Sequence, residues 1–179
     1  MDILTALKER RSINFFDPDR SVSDETLREL LAVANLGPSA MNLQPWEVIA
    51  VRTPERKLAL QKCAFNQPKV GEASAMLILV ANPAAIEANL DAVVTSMLEL
   101  GYATPESEAS VRAMPFNLYG PVDGEPRRFF AVKNTALFAM GIMAAARGLG
   151  LETHPMDGFV EAQVKEAFGI DKAKIVPLL

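Results

Sequence analysis

The feature that most constrains this chain is a nearly continuous apolar stretch with helical character, residues 129–147. Its large apolar residues are Phe129, Phe130, Val132, Leu137, Phe138, Met140, Ile142 and Met143, with many alanines between them. Its few polar residues are Lys133, Asn134, Thr135 and Arg147. A helix that is apolar nearly all round must be buried nearly all round. In a chain of 179 residues, this predicts a central helix shared with a second copy, the alternative being the core helix of a monomer.

The sequence predicts shorter helices and strands for the rest of the chain. Apolar spacing and cap residues predict helices at Asp2–Glu9, from the N-cap Ser23 to a stop at Gly37–Pro38, and at 54–64, 86–100 and 160–168. Strands are predicted at 46–51, 75–81 and 175–179, the second being an unbroken apolar run suited to a strand covered on both faces. Residues 101–127 read as a long excursion with a short helix at 106–113. Together these elements predict an α+β fold with helices packed on a sheet.

Composition excludes several classes of function. A net charge of −4 gives no basic field for nucleic acid or an anionic membrane. One cysteine and one histidine, Cys63 and His154, allow neither an internal disulfide nor a His/Cys metal cluster. The first residues carry charges among their apolar positions, unlike a signal peptide, and no apolar stretch is long enough to predict a membrane span. We therefore expect a cytoplasmic protein without a metal site.

The usual catalytic constellations are also missing from the sequence. There is no nucleophile elbow to form a triad with His154, no P-loop and no glycine-rich dinucleotide fingerprint. If the chain is an enzyme, its reactive group is expected to come from a bound cofactor. We therefore assign no catalytic side chain.

Two segments in the first half of the chain carry polar groups suited to a ligand. Arg10, Arg11 and Ser12 close the first predicted helix. They could complement the helix dipole, or their guanidinium groups could hold a phosphate. The loop 37–46 places Ser39, Asn42 and Gln44 between a helix stop and a strand. These side chains could satisfy the turn itself, or they could bind the mixed donor and acceptor edge of a flavin or a polyol chain.

Two later segments have the same ambiguity. Asn66 and Lys69 lie just before the buried strand. They belong either to an ordinary exposed loop or to a site where Lys69 stabilises negative charge on a reduced ring. Segment 154–159 precedes the last helix, and backbone N–H groups near Asp157 and Gly158 could face a ligand there. For His154 a capping or packing role is favoured over a catalytic one.

In this order, the four segments resemble the nitroreductase family of flavoenzymes. The opening, with Met1-Asp2-Ile3, Arg10-Arg11-Ser12 and Phe16, is similar to the start of that family. The loop from Pro38-Ser39 through Asn42 and Gln44-Pro45-Trp46 resembles its P-S-x-x-N-x-Q-P-W motif. Residues 65–69 resemble its F-N-x-x-K segment, and 155–159 its P-hydrophobic-acid-G-F segment. The match spans nearly the whole chain.

The resemblance implies a fold and an assembly. Members are α+β three-layer sandwiches in which a central mixed, mostly antiparallel sheet is flanked by helices. Two copies intertwine as a homodimer with two FMN sites at the interface. We therefore expect residues 1–179 to form one FMN-binding domain.

The resemblance also implies roles for particular residues. FMN would be held by Arg10, Arg11, Ser12, Asn14, Asn66, Lys69, Pro155, Met156, Asp157 and Gly158. Gln44 would also bind FMN, and Pro38, Ser39, Ala40 and Asn42 would come from the partner subunit. Met41, Phe116 and Tyr119 would line the substrate pocket.

The implied reaction is hydride transfer from NAD(P)H to FMN and then to a nitroaromatic, a quinone or a similar acceptor. Alternatives within the superfamily are dehalogenation, flavin cleavage, or flavin binding without turnover. A structural dimer without flavin is a further alternative. The sequence does not discriminate among the acceptors.

Two departures from the family pattern bear on the site. Some members have a lysine where Asn14 stands, and the loss of that cation is expected to lower the flavin potential or alter the ring contacts. Relatives also continue beyond the last strand with basic residues that reach the FMN phosphate, whereas this sequence stops at Leu179. We expect that a C-terminal extension is missing from the sequence.

Overall fold

The computed structural model describes residues 2–179 and consists of helices packed on both faces of a small sheet. The helices are α1 (Ile3–Glu9), α2 (Asp24–Ala34), α3 (Pro54–Cys63), α4 (Pro68–Glu72), α5 (Ala85–Glu99), α6 (Glu108–Tyr119), α7 (Glu125–Gly148) and α8 (Glu161–Phe168). The strands are β1 (Trp46–Val51), β2 (Met76–Ala81) and β3 (Ile175–Leu178). The predicted α+β class is confirmed.

The sheet is antiparallel, with β2 in the centre. β1 pairs with β2 along its whole length, from Trp46 opposite Ala81 to Val51 opposite Met76. β3 pairs with the other edge of β2, where Leu79 lies opposite Leu178. The expected mixed character is confined, in residues 2–179, to one isolated parallel bridge between Ser12 and Thr153.

Side-chain alternation along β2 divides the core between the two faces. Ile78 and Val80 point to one face and pack in a cluster with residues of α3, α4 and α8. Leu77 and Leu79 point to the other face, where residues of α2 and α7 cover them. A strand buried on both faces has to be apolar at every position, which explains the unbroken run in the sequence. The result is the three-layer arrangement expected from the resemblance.

Two predictions for the middle of the chain were wrong in detail. Residues 101–127 are not mainly irregular, because α6 extends to Tyr119 despite an internal proline, Pro115, and α7 begins at Glu125. Pro115 is buried, so tertiary packing outweighs its low helix propensity. The short helix α4 was missed. It begins with a proline, at a helix position where the lost N–H matters least.

The apolar stretch 129–147 lies in the long helix α7, which within a single copy is buried on one face only. It contacts α2 and all three strands. On its other face, Phe129 is 70% exposed and Leu137 is 49% exposed. By length and composition alone, α7 could cross a membrane, because an 18-residue window of it has a mean hydropathy of 1.5. However, 44% of that window is buried inside the chain. Its contacts with the sheet are those of a core helix.

Gly141 lies where α7 packs tightly against Ala34 of α2. This contact gives a stability prediction. A Cβ at this position would lie 3.2 Å from the carbonyl oxygen of Ala34, a backbone atom that cannot move independently. We expect Gly141→Ala to destabilise the fold by about 1–3 kcal/mol, despite the better helix propensity of alanine. Urea unfolding followed by circular dichroism measures this change.

Gly148→Ala is the matched control. It lies in the last position of the same helix, and a Cβ there meets nothing within 4 Å. We expect this variant to be neutral or slightly stabilising. Equal effects of the two substitutions would contradict a close α2–α7 contact at Gly141.

Candidate functional site

The predicted cofactor residues fall into two groups. The first, here the basic cluster, consists of Arg10, Arg11, Ser12, Asn14, Asn66, Lys69 and residues 155–158. The second is the 38–44 loop, which follows α2 and leads into β1. Within residues 2–179, no hydrogen bond joins the two groups.

Backbone pairing brings distant parts of the basic cluster together. The segment after α1 lies beside the segment before Pro155 through the Ser12–Thr153 bridge. The Ile13 N–H donates to the Thr153 carbonyl at 3.1 Å. His154 Nδ1 lies 2.9 Å from the Ile13 carbonyl oxygen. This pairing fixes the start of the chain against the 155–158 segment.

Lys69 connects the third segment to the other two. It lies in the first turn of α4, and its ammonium group donates to Asn14 Oδ1 at 3.0 Å. The same Nζ lies 3.1 Å from His154 Nε2. His154 was expected to cap or pack, and it instead joins Lys69 to the Ile13 backbone. Its position directly before the Pro155 motif was the available signal.

The two arginines that end α1 have different environments. Arg11 Nη1 donates to the carbonyl groups of Lys8 and Arg10, both at 2.8 Å, so the helix-end interpretation describes Arg11. Arg10 Nη1 is buried and has no hydrogen-bond partner among residues 2–179. A buried donor without a partner is costly, and a cationic one favours an anionic group beside it.

The 155–158 segment presents backbone donors to solvent. The Asp157 and Gly158 side of this segment is exposed, and neither N–H donates to an atom within residues 2–179. Gln67 Nε2 donates to the Gly158 carbonyl at 2.8 Å. A Cβ on Gly158 would lie 3.0 Å from that nitrogen, so glycine permits this close contact.

The 38–44 loop is held by its own side chains and by α7. Ser39 Oγ accepts from the Gln44 N–H, and Gln44 Nε2 donates to Asn42 Oδ1, both at 3.0 Å. These bonds match the self-satisfied turn that the sequence allowed. From α7, the buried Asn134 Oδ1 accepts from the Ala40 N–H at 2.8 Å. The hydroxyl of Thr135, the next residue, lies 3.3 Å from the Pro45 carbonyl oxygen, and its single hydrogen has a closer acceptor in the Ala131 carbonyl at 2.9 Å.

The sequence did not predict these roles for Asn134 and Thr135. The available signal was the presence of two neighbouring polar residues in an otherwise apolar helix. A buried side-chain amide needs hydrogen-bond partners. Here Asn134 uses both ends of its amide, because its Nδ2 donates to the Phe130 carbonyl at 2.7 Å.

Backbone conformation singles out the same two regions. The non-glycine residues with positive φ among residues 2–179 are Met41, Asn42, Gln44, Phe65 and Asn66. Such conformations cost roughly 1–3 kcal/mol each and persist where the surroundings impose them. All five lie in, or next to, segments predicted to bind the cofactor. The clustering favours a functional interpretation of both regions.

The predicted substrate-pocket residues lie near the 38–44 loop. Met41 and Tyr119 pack against the same apolar cluster, and the Tyr119 ring lies 4.5 Å from that of Phe130. Phe116 is partly exposed, with the Arg127 guanidinium carbon 5.7 Å from its ring centre. The three predicted residues therefore belong to the α6 and 38–44 region.

A cavity of about 340 Å³ adjoins the basic cluster. Its walls are mostly apolar and come from β2, α7 and residues 150–156, and Lys69 also lines it. Arg10, Asn66 and Gly158 do not line it. Lys69, Pro155 and Met156 thus line the cavity, and the other predicted cofactor residues lie outside its lining.

Comparison with known proteins identifies the family of the chain. The family model described as "Nitroreductase family" matches residues 7–179, and the chain belongs to this family. An NADH dehydrogenase from Thermus thermophilus is 32% identical, with 100% of this chain and 84% of that protein covered. An oxygen-insensitive NAD(P)H nitroreductase from Salmonella typhimurium is 29% identical, with 95% and 82% covered.

A solved structure shows the same fold. A protein from Exiguobacterium sibiricum, crystallised in complex with FMN, is 30% identical and superposes with a TM-score of 0.87. The match covers 99% of this chain and 85% of that protein.

Asn134 provides a test of how the 38–44 loop is held. Asn134→Ala removes the acceptor of the Ala40 N–H and leaves that donor without a partner. We expect a loss of about 1–3 kcal/mol of unfolding free energy. Chemical unfolding measures it, with the exposed neighbour Lys133→Ala as the control. A loss no larger than that of the control would contradict the role of Asn134.

Proposed function

We propose that this nitroreductase-family oxidoreductase is a homodimer that binds FMN. It takes electrons from NAD(P)H and reduces nitroaromatic or quinone acceptors. The observation that carries the proposal is the unpartnered, buried Arg10 Nη1, four residues before the Asn14 side chain that accepts from the Lys69 ammonium. The FMN-bound relative and the NAD(P)H-dependent relative support it.

The residues present fit FMN. Arg10 has an unused guanidinium nitrogen for the phosphate, whose oxygens suit a guanidinium donor. Ser12 lies on this side of the site, whereas the Arg11 guanidinium is already bonded at the end of α1 and Asn14 accepts from Lys69. Lys69 and Asn66 suit the pyrimidine edge of the ring, and the free N–H groups of Asp157 and Gly158 suit its other edge.

When bound, FMN supplies the hydride chemistry, accepting from NAD(P)H and donating to the acceptor. The chain positions and stabilises charge. The Lys69 ammonium would stabilise the negative charge of a reduced ring. No side-chain nucleophile is required. The Cys63 thiol is buried, and this burial raises its pKa, which disfavours the reactive thiolate.

The homodimer is supported by apolar surface that the chain does not cover itself. Ile3, Leu4 and Leu7 of α1 are exposed, as are Phe129 and Leu137 of α7. α1 and α7 contact each other, so these side chains lie on neighbouring elements. Contiguous exposed apolar surface commonly marks an interface. In the proposed dimer, the 38–44 loop of one copy completes the site formed by the basic cluster of the other.

We further propose a flat acceptor and a cytoplasmic location. Met41 and Tyr119 pack against one apolar cluster, and Phe116 lies on the same helix as Tyr119, which supports a flat, apolar acceptor. A cytoplasmic location is supported by the single, buried cysteine, which suits a reducing compartment.

The visible spectrum of the purified protein, reconstituted with FMN, tests this function. Bound flavin should be bleached by NADH or NADPH under anaerobic conditions, and a nitroaromatic or a quinone should restore the colour. A protein that binds FMN but is not bleached would favour a flavin-binding role without turnover. A protein that refuses FMN would contradict the proposal.

The contrast between Arg10 and Arg11 gives a prediction for cofactor binding. We expect Arg10→Ala to weaken FMN binding roughly ten- to a hundredfold, because a charge-assisted hydrogen bond to phosphate is lost. Riboflavin lacks the phosphate, so its affinity should change little. Fluorescence titration of the apoprotein measures both ligands.

Arg11→Ala is the matched control. Its guanidinium already donates to the carbonyl groups at the end of α1, so this substitution should affect helix stability more than FMN affinity. Equal losses of FMN and riboflavin affinity in Arg10→Ala would contradict the assignment of Arg10 to the phosphate.

The dimer can be tested on the exposed face of α7. We expect Leu137→Asp to shift the protein towards monomer, because a charge would be buried at the interface. Sedimentation equilibrium measures the change. Leu58→Asp is the control, since Leu58 is a similarly exposed leucine on α3, at 52%. A wild-type protein that is monomeric at all concentrations would contradict the proposed dimer.

A further inference from the structure

His154 is a polar residue beside the basic cluster to which the proposed reaction assigns no role. It is half-buried, and each ring nitrogen faces one partner. Nδ1 lies 2.9 Å from the Ile13 carbonyl oxygen, and Nε2 lies 3.1 Å from Lys69 Nζ.

The two partners define which ring nitrogen of His154 carries the proton. A carbonyl oxygen only accepts, so Nδ1 carries the hydrogen and donates to Ile13. An ammonium group only donates, so Nε2 accepts from Lys69. His154 is therefore the neutral Nδ1–H tautomer. The ring acts as a rigid spacer between the backbone after α1 and the Lys69 ammonium.

Asn14 holds the same ammonium from another direction. Its Oδ1 accepts from Lys69 Nζ at 3.0 Å. Lys69 thus has two neutral acceptors, and its positive charge is not cancelled by a carboxylate in hydrogen-bond contact within residues 2–179. A long lysine side chain would otherwise sample many rotamers.

We infer that His154 is a positioning residue that holds Lys69 towards the pyrimidine edge of the flavin and thereby raises both FMN affinity and flavin potential. The inference rests on the proposed FMN site. Fixing a cation before the ligand arrives lowers the ordering cost of binding, and it keeps the charge where the reduced ring is negative.

Two substitutions separate the two hydrogen bonds of His154. Asparagine can place an amide nitrogen near the position of Nδ1 and keep the bond to Ile13, but it is too short to reach Lys69. Glutamine can place its carbonyl oxygen near the position of Nε2 and keep an acceptor for Lys69. His154→Asn is therefore the test variant, and His154→Gln is its matched control.

The experiment is a double-mutant cycle with Lys69→Met, measuring the FMN dissociation constant and the midpoint potential of the bound flavin. We expect His154→Asn to weaken FMN binding roughly three- to tenfold and to lower the potential. His154→Gln should stay within about twofold of wild type. In the Lys69→Met background, His154→Asn should have no further effect on either quantity.

The outcomes distinguish this inference from the proposed function. A wild-type protein without FMN affinity would remove the proposed function itself. If wild type binds FMN and His154→Asn is equally harmful with or without Lys69, the role of His154 is structural and the inference is wrong. Unchanged affinity and potential in His154→Asn would also overturn it. Thermal unfolding of the apoproteins checks that all the variants fold.

Discussion

The structure depends on the burial of α7 against the sheet and on the few polar residues that this helix carries. Its apolar face covers β2 and contacts all three strands. Three of its polar residues hold the surrounding segments. Asn134 accepts from Ala40 in the 38–44 loop, and Thr135 lies beside the carbonyl of Pro45, directly after the loop. Arg147 donates to Glu9 at 3.1 Å and also pairs with Glu152.

These contacts connect the core to both groups of candidate site residues. Glu9 directly precedes Arg10, and Glu152 lies two residues before His154. Arg147 therefore connects the two backbone segments of the basic cluster. Asn134 holds the other group, the 38–44 loop. Because buried polar groups need partners, each of these side chains restricts where its loop can lie. One helix thus supports both groups, although they do not contact each other by hydrogen bonds within residues 2–179.

Much of the fold could be predicted because its signals are local. The apolar run of β2 and the apolar stretch of α7 require burial wherever they lie in the chain. The full length of α6 could not be predicted because Pro115 reads as a breaker, and α4, with 5 residues, is too short to show a helical pattern. At Pro68 and Pro115, first-turn placement and tertiary packing decide the conformation.

The candidate site was predicted as a set of residues but not as an arrangement. The motifs placed Arg10 and Arg11 together, yet only the structure separates a helix-capping Arg11 from a buried Arg10 with an unused donor. The role of His154 depends on Ile13 and Lys69, which are distant in sequence. Asn14 was expected to lower the flavin potential or alter the ring contacts, and only the structure shows that its Oδ1 accepts from Lys69.

In the proposed dimer, each FMN site combines the basic cluster of one copy with the 38–44 loop of the other. Subunit mixing tests it most directly, using Arg10→Glu to disable the basic cluster and Asn42→Glu to disable the loop. Each variant alone should bind no FMN. After unfolding and refolding together in equal amounts, random pairing should restore about one quarter of the sites, because each mixed dimer keeps one intact site. No recovery of FMN binding in the mixture, with mixed dimers demonstrated, would contradict a site shared between two copies.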